Sequence, residues 1–165
     1  MRSISHLLLA GLAAAAIAVP AAGERRSDDE IAPKSVELMQ QGRSLLAAGK
    51  FEDAQTALEA SLAVDPRNRW AYVEAARVAE KQKLYGKAIR LTNKALAMEP
   101  NDLDALAVQG EAMVEMGAVA RAQANLQKIK TICTKGCPQV AQLTDAIGRG
   151  PRVAAASVPP EPKKD

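Results

Sequence analysis

The chain has 165 residues, with 22 Lys and Arg against 19 Asp and Glu, and a single histidine. That length holds one domain plus attachments, and so even a charge balance offers no basic surface for nucleic acid. His6 falls in a segment expected to be removed, which strips out the commonest general base and metal ligand. No catalytic residues, metal, cofactor or small-molecule substrate are therefore expected.

In chain order, Met1-Arg2 gives a positive start, and His6 to Val19 is an apolar run too short for a comfortable membrane span. Val19-Pro20-Ala21 and Ala21-Ala22-Gly23 each fit a small-x-small cleavage pattern. Residues 1–23 thus read as a secretory signal peptide, which places the protein in the periplasm or outside the cell. An uncleaved anchor is the alternative, and would be the only contact with a membrane. The absence of cysteine near the cleavage region argues against a lipid-attached form. Residues 24–32 carry Glu24, Arg25, Arg26, Asp28, Asp29 and Glu30 without an apolar period, and are expected to be a flexible leader.

From residue 33 to 148 one pattern recurs at a step of 34 residues. Gly42, Ala76 and Gly110 keep that step, as do Ala54, Ala88 and Ala122, and Leu38, Tyr72 and Leu106. Pro66 and Pro100 keep it as well. One supersecondary unit has been copied, so the fold is a stack whose neighbouring units bury each other. The unit is a helical hairpin. In the first copy Val36, Leu38, Met39, Leu45 and Leu46 share a helix side that stops near Ala48-Gly49, where glycine suits the left-handed residue that ends a helix. Phe51 opens the second helix, with Glu52 and Asp53 in its first turn, where the helix dipole favours acids. Ala54, Ala57, Leu58, Ser61 and Leu62 follow at three- and four-residue steps, and the helix ends at Asp65 because Pro66 disfavours a helical residue before it. Small residues at 42 and 54, 76 and 88, and 110 and 122 are expected to face each other and let the two helix axes approach.

These residues resemble the tetratricopeptide repeat family. The family's pattern falls here as a large residue (Leu38, Tyr72, Leu106), a small one (Gly42, Ala76, Gly110) and an aromatic (Phe51, Tyr85). It continues with alanine (Ala54, Ala88, Ala122), a second small residue (Ser61, Ala95) and proline (Pro66, Pro100). The third copy departs at its end, with Ile129, Lys130 and Thr134 in the last slots, as a terminal repeat does. Pro138 to Ile147 then reads as a capping helix, with Val140, Ala141, Leu143 and Ile147 inward and Gln139, Gln142 and Asp145 outward. The resemblance implies an all-α helical-hairpin solenoid of three such repeats plus a C-terminal capping helix. It also implies a non-enzymatic adaptor or assembly factor of a bacterial cell envelope, binding a protein or peptide partner in a concave groove.

Cys133 and Cys137, the only cysteines, are separated by Thr-Lys-Gly. In an exported protein such a pair is expected to be a disulfide joining the last repeat to the cap. A redox-active dithiol is the competing reading, against which stand the three-residue spacer and the lack of any thioredoxin-like strand pattern. Residues 149–165, with Pro151, Pro159, Pro160 and Pro162, are expected to be a disordered tail.

In stacks like this family's, the first helix of each hairpin lines the concave surface. The resemblance places Met39, Gln40 and Arg43, then Trp70, Val73, Glu74 and Arg77, then Asp104, Ala107, Val108 and Glu111 on that surface. The partner-binding residues expected among them are Met39, Arg43, Trp70, Val73, Arg77, Val108 and Glu111. Arg43 and Arg77 occupy equivalent slots and are expected to stand in a column that Glu111 continues. Two aligned guanidinium groups suit a carboxylate; a solvated face in which Glu74 and Glu111 pair with them is the competing reading. Some family members hold the carboxylate of chaperone C-terminal tails, in slots that correspond here to Met39, Arg43, Glu74, Asp104 and Val108. Only Arg43 would serve, and Glu74 and Asp104 would repel an anion. Self-association through the repeats is a further alternative.

Overall fold

Helix starts and stops recur along the chain at the step of 34 residues that the sequence repeats. The structure, a computed structural model, describes residues 30–152; the predicted signal peptide, leader residues 24–29 and the tail beyond 152 lie outside the described residues. Seven α-helices occupy them: α1 (Pro33–Ala47), α2 (Phe51–Val64), α3 (Arg69–Lys81), α4 (Tyr85–Met98), α5 (Leu103–Glu115), α6 (Val119–Ile132) and α7 (Pro138–Arg149). Three hairpins and a last helix form the all-α solenoid that the sequence predicts.

The ends repeat to the atom. The helices α1, α3 and α5 finish on a left-handed residue, Gly49 (φ 74), Lys83 (φ 61) and Gly117 (φ 76). At each, the N–H groups of that residue and the next return to the last turn: Gly49 to Leu46 and Lys50 to Leu45, Lys83 to Glu80 and Leu84 to Ala79, Gly117 to Val114 and Ala118 to Met113. This Schellman pattern satisfies the orphan carbonyls. Asp65 and Glu99, each before a proline, are extended and stop α2 and α4. Asn68 and Asp102, 34 residues apart, then cap α3 and α5 by accepting the N–H groups of Ala71 and Ala105 at 3.3 and 2.9 Å.

Packing follows the small residues. Ala54, Ala88 and Ala122 are fully buried, and a Cβ on Gly42 would lie 2.5 Å from Leu58 Cγ. Gly110 differs from the sequence expectation. The atoms nearest to a Cβ there belong to Leu143 of α7, at 2.6 and 2.7 Å, and not to Ala122. In the third copy the small residue admits the leucine of the cap. Within α7, Leu143 and Ala146 are buried, Val140 and Ile147 pack beside them, and Ala141 is exposed. The inward stripe therefore runs through 146 instead of 141.

Polar groups seal the other end. Ser35, Ser61 and Asn68 are completely buried and bond one another, with Ser35 Oγ 3.0 Å from Ser61 Oγ and 2.9 Å from Asn68 Nδ2. Asp65 accepts the N–H of Ala32 at 2.9 Å and the guanidinium of Arg67 at 3.0 Å. These contacts, the Arg67 bonds foremost, hold the Asp65 carboxyl well below the ordinary carboxylate range. Ala32, placed by sequence in the flexible leader, is thereby buried and anchored. At the far end Arg149 completes α7 and Arg152 is ion-paired, so the predicted tail is ordered through residue 152.

The odd helices touch in series, α1 on α3, α3 on α5 and α5 on α7, while each even helix packs mainly against the odd helices flanking it in sequence, with Glu59 of α2 and Lys87 of α4 ion-paired at 3.8 Å. Among the described residues the odd layer is thus continuous and the even one is splayed, which puts α1, α3, α5 and α7 on the inner side of the bend. No helix among the described residues is long and apolar enough to cross a membrane. The sulfurs of Cys133 and Cys137 lie 2.07 Å apart in the turn between α6 and α7.

Candidate partner-binding face

A chain of polar contacts crosses all four inner helices. Arg43 of α1 reaches Glu74 of α3 at 2.8 Å. Arg77, one turn further along α3, lies 4.0 Å from Glu74 and 3.0 Å from Asp104 of α5. Asp104 in turn accepts the side-chain amide of Gln139 on α7 at 3.0 Å. Further along α5, Glu111 is bonded to Gln142 of α7. The steps of three residues from Glu74 to Arg77 and of seven, two helical turns, from Asp104 to Glu111 keep these groups on one face of their helices. The only strongly buried member is Glu74, whose side chain is 8% exposed; it is tolerated because two guanidinium groups face it.

This belt sorts the residues expected to bind a partner. Arg43, Arg77 and Glu111 lie on the face, but the two guanidinium groups share Glu74 and are not free to hold an anion together. Met39, Val73 and Val108 are corrections: all three are buried. Met39 packs with Ala71 and Ala75, and Val73 and Val108 pack in one cluster with Ala76 and Ala105. They fill the seams between successive odd helices, where the next repeat covers what a single helix would expose. Ala107 is buried likewise. Trp70 is exposed at the start of α3 beneath the guanidinium of Arg69, 4.3 Å from its ring. Arg69 is tied to Asp102, so Trp70 stands beside the inter-repeat edge and joins none of the belt contacts.

Glu80, Glu115 and Arg152, which the sequence does not single out, join Tyr85 and Glu111 in a second feature where α3 and α5 end. A cavity of about 350 Å³ there is bordered by Glu80, Tyr85, Glu111, Glu115 and Arg152, among others. Burial, and then the charge of Glu111, push the Glu80 carboxyl up to about 8, and burial also raises Glu111 against the opposing bond from Gln142. Tyr85 is raised as well, by burial and next by Glu115. Arg152 bonds Glu115 from two atoms, Nε to Oε1 at 2.6 Å and the main-chain N–H to Oε2 at 3.1 Å. Among the described residues no three His, Cys, Asp or Glu side chains are arranged to hold a metal ion.

The sequence model of the tetratricopeptide repeat family matches residues 39–105, which span most of the first hairpin, the whole second hairpin and the first turn of the third. Residues 39–105 are tetratricopeptide repeat sequence. Solved tetratricopeptide repeat domains share the fold at low identity. The Sgt2 domain of Aspergillus fumigatus is 20% identical, with a TM-score of 0.65 over 81% of this chain and 88% of that one. The TPR2B domain of yeast Sti1, solved as a complex with pHsp70, is 20% identical, with a TM-score of 0.65 over 72% and 98%. The first such domain of Spaghetti (RPAP3), solved with the HSP90 peptide SRMEEVD, is 19% identical, with a TM-score of 0.64 over 75% and 94%. No curated protein sequence matches the chain. In this tetratricopeptide repeat domain the slots suited to a chaperone-tail carboxylate contain two buried apolar residues, Met39 and Val108. The others hold two acids and one arginine that is already paired.

Proposed function

We propose that this chain is a non-enzymatic adaptor or assembly factor that holds an extended segment of a partner protein against α1, α3, α5 and α7, without covalent change. The observation that carries this reading is the polar belt Arg43–Glu74–Arg77–Asp104–Gln139, which lays donors and acceptors across four helices on the inner side of the stack. The contacts of Asp104 with Arg77 and Gln139 are exposed; contacts of this kind add little to folding and exchange readily for the polar groups of a bound segment. Two of the solved domains with this fold were determined with chaperone or chaperone-derived partners, which supports a peptide-like ligand. The acids at Glu74 and Asp104 argue against an acidic C-terminal tail as that ligand and favour a segment of mixed charge.

The cell envelope of a bacterium is the proposed site of action, on the strength of the apolar start of the sequence and its small-x-small motifs. There the Cys133–Cys137 pair would be a disulfide that fixes the turn into the cap. The test is photo-crosslinking in intact cells, with the crosslinker at Arg77 and a control at Lys94 on α4. The expected result is one discrete protein captured from Arg77 alone, in the envelope fraction. Equal capture at both positions, or capture only of a second copy of this chain, would overturn the adaptor reading.

A further inference from the structure

The cavity at the ends of α3 and α5 already holds a basic side chain. Arg152 comes from the segment after α7 and reaches back 37 residues in sequence to Glu115, whose own side chain is 7% exposed. It binds as an extended peptide would, with a guanidinium and a main-chain N–H on the two oxygens of one carboxylate. A specific backbone turn delivers it. Gly150 has φ 68 and ψ −175, a region essentially closed to residues with a Cβ, so the return of Arg152 depends on glycine at that position.

The cavity is larger than that contact needs, and Lys81 and Lys83 line it together with the acids. Glu80, Glu111 and Glu115 all border it, and the ion pair of Arg152 is with Glu115. Arg77, Lys81 and Arg152 oppose the rise of Glu80, and Gln142, Arg77, Arg149 and Lys81 that of Glu111, yet burial holds both carboxyls above their ordinary value, with the charge of Glu111 adding to it at Glu80. The carboxylates are not gathered tightly enough for a metal ion. An arginine side chain, with a flexible stem that can lie along Tyr85, fits the space and can make on Glu115 the bonds that Arg152 makes.

We propose that this cavity is a receptor for an arginine side chain of the partner segment, and that Arg152 occupies it in the free protein as an intramolecular competitor that the partner displaces. The proposal rests on the reading that the inner face receives a partner segment, and it names the residue type that one end of that face selects. Because a share of the molecules is self-occupied, the apparent affinity for the partner is lowered by that share.

The experiment is an amide chemical-shift titration of the isotope-labelled protein with a blocked tetrapeptide, acetyl-Ala-Gly-Arg-Ala-amide. The same peptide with citrulline, the neutral isostere of arginine, serves as control. Arginine peptide alone is expected to shift Glu80, Tyr85, Glu111 and Glu115. Arg152→Gln and Gly150→Ala, the second acting from outside the cavity with no change of charge, are each expected to tighten binding roughly five-fold, the scale of one partly exposed ion pair. Glu115→Gln is expected to abolish the difference between the two peptides. Equal binding of the citrulline peptide, or unchanged affinity in both Arg152→Gln and Gly150→Ala, would overturn the proposal. Shifts confined to Arg43, Glu74 and Arg77 would overturn it while leaving the inner face as the binding surface. Shifts confined to α2, α4 and α6 would remove both.

Discussion

Replacing Gly42 with alanine separates two effects of opposite sign. In the interior of a helix the change gains about 1 kcal/mol from propensity alone. Here the added Cβ would lie 2.5 Å from Leu58 Cγ, 2.9 Å from Leu58 Cδ2 and 3.3 Å from the carbonyl oxygen of Ala54. Leu58 is completely buried, and its Cγ is a branch point that no rotation of the terminal methyls can clear. The two helices must move apart, and overpacking of this kind costs about 1–3 kcal/mol. With contacts this short the upper half of that range applies, so Gly42→Ala should destabilise the domain by about 1–2 kcal/mol net. Urea unfolding followed by circular dichroism reads this as a lower midpoint at unchanged slope. In a Leu58→Ala background the obstructing atoms are gone and the sign should reverse, with Gly42→Ala stabilising by about 1 kcal/mol. A stabilising Gly42→Ala in the otherwise natural chain would refute the claim that α1 and α2 meet through this position.

Other expectations rest on single groups. Lys83 holds the left-handed slot that glycine fills in the neighbouring copies, so Lys83→Gly should raise stability by about 0.5–1 kcal/mol, since a side chain there costs more than glycine's extra freedom; thermal unfolding checks it. Glu80, at about 8 in the fold against an ordinary 4.5, keeps its proton after the unfolded chain has lost it. Stability should therefore fall as pH rises from about 5 to 8, and Glu80→Gln should flatten that limb and gain about 2 kcal/mol above it, with no gain below pH 4. Asp65 behaves oppositely: its lowered carboxyl gives stability that is present at neutral pH and lost as pH falls below the ordinary carboxylate value. Asp65→Asn should be less stable at neutral pH by about 1–3 kcal/mol, with a shallower acid limb in pH-dependent urea titrations. With the cysteine pair bonded, reduction should cost about 2 kcal/mol, the chain-entropy value for so short a loop; an unchanged melting temperature after reduction would contradict it.

The repeat was legible because its slots are defined by size. Ala54, Ala88 and Ala122 are small where two helices touch, and Pro66 and Pro100 mark the ends of second helices, so spacing alone places them. The charged belt was legible in part. Arg43, Arg77 and Glu111 were assigned to the inner face, and the pairing with Glu74 was the alternative weighed there; the structure adds Asp104 as the second partner of Arg77. Met39, Val73 and Val108 were misplaced because a helix has two flanks beside its inner stripe. Which flank is covered depends on how far the next repeat is rotated, a quantity that no single copy encodes. Gly110 was matched to Ala122 by analogy with the first copy, whereas a cap outside the repeat supplied its neighbour. The cavity was invisible to periodicity for the same reason: Glu80 corresponds to Val114, and Glu115 to Lys81, one repeat away. The one local signal was Gly150 followed by a basic residue two places on, just past an amphipathic helix.

The central claim is that the inner face binds a partner segment, and the most direct test is the footprint of that segment. The stretch captured by crosslinking at Arg77 would be synthesised and titrated into the labelled protein while amide shifts are followed. The account predicts shifts that run from Arg43 through Glu74, Arg77 and Asp104 to Gln139, and that weaken together in an Arg43→Ala, Arg77→Ala double variant of unchanged fold. A footprint on α2, α4 and α6, around Arg90 and Lys94, would contradict it.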